Sequence, residues 1–149
     1  MALIKLSQHF TLDELSTTTI RHYIEQNRME AEHFAGPLGR LCTQILEPIR
    51  AKWGPVIVHS GFRCKALNDA VGSKDTSQHM RGEACDFHVL GRLNGEPLKE
   101  VFIWIWKQSG LKFGQLIWEC GTWIHVSLPT LKQNQQVMDY DGKKYTKLA

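Results

Sequence analysis

Apolar positions change period along this chain, and the changes mark out its elements. From Pro37, Leu38, Leu41, Cys42, Ile45, Ile49 and Trp53 recur at helical spacing, and Gly54-Pro55 ends the run as a helix stop should. Pro48 lies inside that helix, removes one backbone donor and is expected to bend it. The β-branched stretch Val56 to His59 then predicts a strand leading into a tight turn over Ser60 to Cys64. A short helix is expected over Lys65 to Val71, followed by a polar loop from Gly72 to Gln78. From Ala84 to Leu90 the pattern alternates, with Cys85, Phe87 and Val89 on one face and Asp86 and His88 on the other, the signature of a half-buried strand. Leu98, Val101, Phe102, Ile105 and Trp106 return to helical spacing and stop near Gly110.

Both ends of the chain add detail to this frame. Thr11 to Glu14 matches the Ser/Thr-x-x-Glu capping box, so a short helix begins there, with Phe10 and Leu15 placed as a hydrophobic staple. The segment from there to Glu32 reads as helix or loop. Gln115 to Glu119 and Trp123 to Leu128 predict the two strands of a hairpin, and a second hairpin turns at Asp141-Gly142. Helices in front of a small, mostly antiparallel sheet make an α+β fold, expected as one domain over residues 1–149.

Composition narrows the class. With 149 residues, 42% apolar and 22% charged, the chain can bury an ordinary core, which excludes a disordered tail protein. Its longest apolar runs, such as Val101 to Trp106, fall far short of the roughly 20 residues that cross a bilayer. Met1 to Phe10 lacks the basic start and apolar centre of a secretion signal, so the chain is expected to be made in the cytoplasm without one. A net charge of +3 is too small and too scattered to argue for nucleic acid. Cys42, Cys64, Cys85 and Cys120 form no Cys-x-x-Cys pair, which leaves no zinc ribbon or thioredoxin-like motif; reduced and mostly buried thiols are expected.

The chemistry concentrates between Ser77 and Asp86, where a polar loop delivers His79 and a strand delivers Asp86. His125 stands downstream in the alternating run Trp123 to Ser127, on the face opposite Ile124 and Val126. Two imidazoles and one carboxylate from separate elements would make a three-ligand zinc site with its fourth position open to water, as catalytic zinc requires. Position alone favours a plainer reading, in which His79 is a solvated loop residue, Asp86 a salt-bridge group and His125 a surface histidine.

Resemblance reverses that balance. The pattern Ser-x-His-x-x-Gly-x-Ala-x-Asp from Ser77 through Asp86, followed by Trp-x-His-x-Ser from Trp123 to Ser127, resembles the zinc D-Ala-D-Ala carboxypeptidases and their phage endolysin relatives, which share a fold with the Hedgehog signalling domain. Ser7 to Leu15, Leu46 to Arg50, Ser60 to Arg63 and Gln115 to Glu119 resemble further blocks of the small single-domain branch, in the same order. The resemblance implies His79, Asp86 and His125 as ligands of Zn2+, Arg63 as the group that holds substrate and transition-state charge, and a bacterial peptidoglycan peptide as substrate.

Several roles are then open to argument from residue type. Arg63 follows a strand and Gly61, so its guanidinium can be aimed at the metal and donate two bonds to a carboxylate or oxyanion; its plainer reading is a surface salt bridge. Relatives carry an acidic or histidine residue two or three positions before the last ligand, where this chain has Trp123 and Thr122. Glu119 is the expected substitute. If Cys120 to Thr122 is a three-residue hairpin loop, Glu119 pairs with Trp123 and Ile117 with His125, so Glu119 and His125 share a face as diagonal neighbours roughly 7–8 Å apart. The same register sends Leu116, Trp118, Ile124 and Val126 together into the core. Ser77 and Gln78 are expected to orient His79 or line the cleft, and Trp123 to wall it. His88 is a partner or alternative ligand near Asp86, or simply an exposed strand histidine.

The expected function is a zinc-dependent peptidase of the cell wall, phage- or prophage-encoded, acting as a monomer after release or as part of a virion. The alternative is a non-catalytic zinc-containing peptidoglycan-binding or phage structural module, favoured by the missing acid close before His125.

Overall fold

The structure, a computed structural model, describes residues 3–149; the secretion-signal expectation concerns Met1–Phe10, whose first two residues lie outside that range. Helix α1 (Leu12–Leu15) starts at the expected capping box. The Thr11 hydroxyl accepts the Glu14 N–H at 3.3 Å, and the Glu14 carboxylate accepts the Thr11 N–H at 3.1 Å. Phe10 and Leu15 are both buried, as the staple requires. The undecided segment that follows is helical: α2 (Ile24–Ala31) lies between 3-10 turns at Arg21–Tyr23 and Glu32–Phe34, and the residues it buries are Asn27, Arg28 and Ala31.

The helix expected from Pro37 to Trp53 is three pieces in one run: α3 (Ala35–Leu41), a π turn (Cys42–Leu46) and α4 (Glu47–Trp53). The Glu47 N–H reaches back to the Cys42 carbonyl. This corrects the single α-helix, and Pro48 supplies the reason. A proline inside a helix has no N–H, and its ring crowds the carbonyl four residues earlier; widening the turn before it relieves the clash.

Strand β1 (Val56–Ser60) leads into α5 (Lys65–Ala70), β2 (Ala84–Val89) and α6 (Gly95–Lys107), which buries Leu98, Val101, Phe102 and Ile105. Strands β3 (Gln115–Glu119), β4 (Trp123–Ser127), β5 (Gln136–Tyr140) and β6 (Tyr145–Lys147) complete a six-stranded sheet in the order β1-β2-β4-β3-β5-β6. Every neighbouring pair is antiparallel except β3 and β5. The fold is therefore α+β with a mostly antiparallel sheet. Residues 120–122 are a three-residue loop, Glu119 pairs with Trp123, and Ile117 pairs with His125. Leu116, Trp118, Ile124 and Val126 join Cys85, Phe87, Leu38, Leu41, Ile45, Ile49 and Phe102 in one core. The opposite sheet face carries the polar residues of the next section.

Among the described residues no helix is long and apolar enough to cross a membrane. All four cysteines are free, and three are buried. Burial pushes the Cys42 thiol up to about 12. Mostly buried thiols are as expected; Cys120, in the β3–β4 loop, is the exposed one.

Candidate metal centre and its cleft

Two sheet ladders and one turn bring the three expected ligands together. The β2–β4 register sets Asp86 opposite His125, and Asp86 Oδ1 lies 2.8 Å from His125 Nδ1. His79 arrives on the 3-10 turn Gln78–Arg81. The Ser77 hydroxyl caps that turn by accepting the His79 N–H at 3.2 Å. Gly82 closes it at φ +68°, where a Cβ would meet Leu38 and Phe34 at 3.1 Å. The spacing Ser-x-His-x-x-Gly is thus a cap, a candidate ligand and a left-handed stop.

The His79 ring is oriented by its own partners. Its Nδ1–H donates to the Gly61 carbonyl at 2.7 Å, while Nε2 faces Asp86 Oδ2 at 3.4 Å. One ligand atom each from His79, Asp86 and His125 lies within 4.8 Å of the other two, a set that one ion can gather. The donor set suits zinc: two imidazole nitrogens and a carboxylate oxygen leave a fourth tetrahedral position, and a backbone carbonyl fixes the tautomer of one ligand. Burial holds the His79 imidazole below its ordinary pKa despite Asp86, so at neutral pH it is uncharged, the form that ligates. For Asp86 burial acts to raise the pKa, but the two imidazoles outweigh it and hold the carboxyl well below the usual range.

These residues open into a cleft of about 710 Å³ that Arg63, Glu119 and Trp123 also line. Glu119 is half-buried on the same face as His125, in the diagonal position that the register requires. Burial and the neighbouring Asp86 raise its pKa, against the pull of His125 and Arg63. Burial lowers the Arg63 pKa, partly offset by Asp86 and Glu119. The Arg63 Nη2 donates to Ser77 Oγ at 3.3 Å, and its Nε is buried without a partner. Arg63 lines the cleft together with Asp86 and Glu119, and among the described residues it forms no salt bridge.

Gln78 and Ser77 stand in the cleft wall; Ser77 Oγ accepts from both the His79 N–H and Arg63, and Gln78 Oε1 is buried with no partner among the described residues. Gln78 Nε2 donates to the Leu128 carbonyl at 3.2 Å and to Glu83 at 3.4 Å, tying the His79 turn to the end of β4. His88 is half-buried and pairs with His59, Nδ1 to Nε2 at 2.6 Å, rather than with Asp86. Residue type did not point to Asn27. It is fully buried, donates to the Ser16 and Phe62 carbonyls at 2.8 and 3.0 Å, and accepts the Cys64 N–H at 2.7 Å. Tyr140 and Tyr145, which also line the cleft, carry no local motif either.

An α+β sheet that gathers two histidines and an aspartate beside a half-buried carboxyl and an arginine defines a class: domains that can hold one ion with a coordination position left for chemistry. The chain belongs to the peptidase M15 family, whose profile matches residues 8–127 and so takes in Arg63, His79, Asp86, Glu119 and His125. This is the family of the zinc D-Ala-D-Ala carboxypeptidases, zinc-dependent peptidases that act on peptidoglycan peptides. No curated protein matches the chain at a significant level.

Proposed function

We propose that this protein is a zinc peptidase that hydrolyses amide bonds in peptidoglycan stem peptides or cross-links, with His79, Asp86 and His125 as metal ligands, Glu119 as general base and Arg63 as the oxyanion and substrate grip. The observation that carries the reading is the convergence of those five side chains on one cleft. A bound zinc would supply Lewis-acid polarisation of the scissile carbonyl and a water whose pKa is brought down to about 7.

The chain's own groups account for the remaining chemistry. Ionised Glu119 takes a proton from the attacking water, whose oxygen bonds to the carbonyl carbon. The carbonyl oxygen gains the negative charge, and the Arg63 guanidinium, short of partners in the cleft, donates to it. When the carbon–nitrogen bond breaks, its electron pair stays on nitrogen, and Glu119 returns the proton there. Trp123 pairs with Glu119 across the β3–β4 hairpin and walls the cleft beside it.

The blocks shared with phage endolysin relatives support a lytic, phage- or prophage-encoded role, with the protein reaching the wall after release or in a virion. A second reading, a zinc-containing wall-binding module without turnover, is favoured by Trp123 and Thr122 standing where relatives have an acid. Purified protein incubated with peptidoglycan decides between them. Release of new amino groups that a chelator stops and zinc restores supports the peptidase; retention on peptidoglycan with no release selects the binding module.

A further inference from the structure

Strands β5 and β6 lie beyond residue 127, where the family match ends, yet their side chains close one side of the cleft. Three ladders place four residues in one row: Trp123 pairs with Glu119, Glu119 with Tyr140, and Tyr140 with Tyr145. Directly paired residues project to the same face of a sheet, and all four line the cleft. The adjacent row, two residues along each of those strands and continued onto β2, holds Asp86, His125, Ile117, Met138 and Lys147. The aromatic row thus runs alongside the metal-ligand row, one side-chain level away.

The Tyr140 and Tyr145 rings stack with centroids 4.4 Å apart and planes 27° from parallel, and Tyr145 is 57% exposed. Nothing in the hydrolysis above uses this pair. Stacking restrains both rings, so less side-chain freedom is left to lose on binding.

We infer that Tyr140 and Tyr145 form an aromatic subsite for the part of the peptide lying beyond the two residues that share the scissile bond. The inference rests on the peptidase reading of this cleft and specifies the substrate by its length. Tyrosine suits such a task because its ring covers aliphatic and backbone groups of many sequences while losing little side-chain freedom. Glu119, in the same row, ties the subsite to the reacting bond. The cleft volume of about 710 Å³ falls within the range that accommodates ligands of drug size, and the tyrosine pair and the three candidate ligands line that one cleft. The subsite thereby specifies a peptide longer than two residues, whichever end carries the extension.

The test measures binding and turnover by zinc-loaded protein on peptides lengthened one residue at a time from a D-Ala-D-Ala pair, toward the N-terminus in one series and the C-terminus in another. The wild-type protein is expected to favour the longest peptide of at least one series over the dipeptide by about tenfold. Tyr145→Ala and Tyr140→Ala should abolish that preference, and Tyr145→Phe, which keeps the ring, should retain it; thermal unfolding confirms that each variant is folded. Equal affinity of the wild type for short and long peptides, or equal weakening of both by the alanine variants, overturns the subsite. Tyrosine-dependent binding of long peptides without turnover sinks the peptidase reading and leaves the subsite standing; turnover without length preference does the reverse.

Discussion

Asn27 brackets Arg63: its amide donates to the carbonyl of Phe62 at 3.0 Å and accepts the N–H of Cys64 at 2.7 Å, the residues on either side of the arginine. Both bonds are buried, so Asn27→Ala leaves the Cys64 N–H and two carbonyls without partners and should destabilise the fold by about 1–3 kcal/mol. Loosening the backbone beneath Arg63 should also lower kcat/KM, by up to about a hundredfold. A double-mutant cycle separates the two effects. In an Arg63→Ala background the stability loss should persist while the further loss of activity disappears. An undiminished activity loss in that background would show that Asn27 acts elsewhere.

Gly61 works at closer range. Its neighbour Phe62 donates its N–H to the Leu15 carbonyl at 2.7 Å, and a Cβ on Gly61 would stand 2.3 Å from that same oxygen. Gly61→Ala therefore forces the backbone off α1 and shifts the carbonyl that holds His79 Nδ1. Loss of such an orienting partner typically weakens metal binding about 10–100-fold, and the overpacking should cost about 1–3 kcal/mol. Zinc titration and thermal unfolding of the variant check both. Unchanged zinc affinity would mean that the Gly61 carbonyl does not set the His79 ring.

What could be read before the structure depended on how local each feature is. The β3–β4 register was legible because a three-residue loop and the apolar pairs Leu116–Val126 and Trp118–Ile124 agree on one pairing, which places Glu119 beside His125. The spacing from Ser77 to Asp86 was legible for the same reason: cap, candidate ligand, left-handed glycine and strand are set by neighbours in sequence. Asn27 was not, since α2 buries polar side chains and shows no apolar stripe to announce that it is packed. The tyrosine wall was hidden by distance. Its position depends on β5 pairing parallel to β3 after a connection that leaves β4 and passes β3, and no residue near Tyr140 records that contact.

Glu119→Gln separates base catalysis from binding. The amide keeps the size of the side chain but cannot take up the water's proton, so kcat should fall by about 10²–10⁴-fold. Zinc content and peptide affinity should stay near those of the wild type, because Glu119 lies outside the ligand set of His79, Asp86 and His125. Metal analysis, peptide binding and single-turnover rates together give the answer. Turnover close to wild type would remove Glu119 from the base position.

The two carboxyls of the cleft should titrate in opposite directions from their ordinary values. In the metal-free protein, burial and the nearby Asp86 raise Glu119, so it should lose its proton above the ordinary 4.5. Asp86 should lose its own below the ordinary 3.8, because the imidazoles of His79 and His125 outweigh its burial. The linkage signs follow. Asp86 binds its proton more weakly folded than unfolded, so its stabilisation is present above pH 3.8 and is lost as the pH falls through the lower folded value. Glu119 binds its proton more tightly folded, so its contribution is present at acid pH and is lost as the pH rises through the raised value. A zinc held by His79, Asp86 and His125 would add a dication to the cleft that Glu119 also lines, favouring the carboxylate, so the acid limb of kcat/KM should lie below the Glu119 titration of the metal-free protein. Carboxyl carbon NMR of the metal-free protein and a pH–rate profile of the zinc-loaded one measure the two values. An acid limb that persists unchanged in Glu119→Gln would assign the titrating base to another residue.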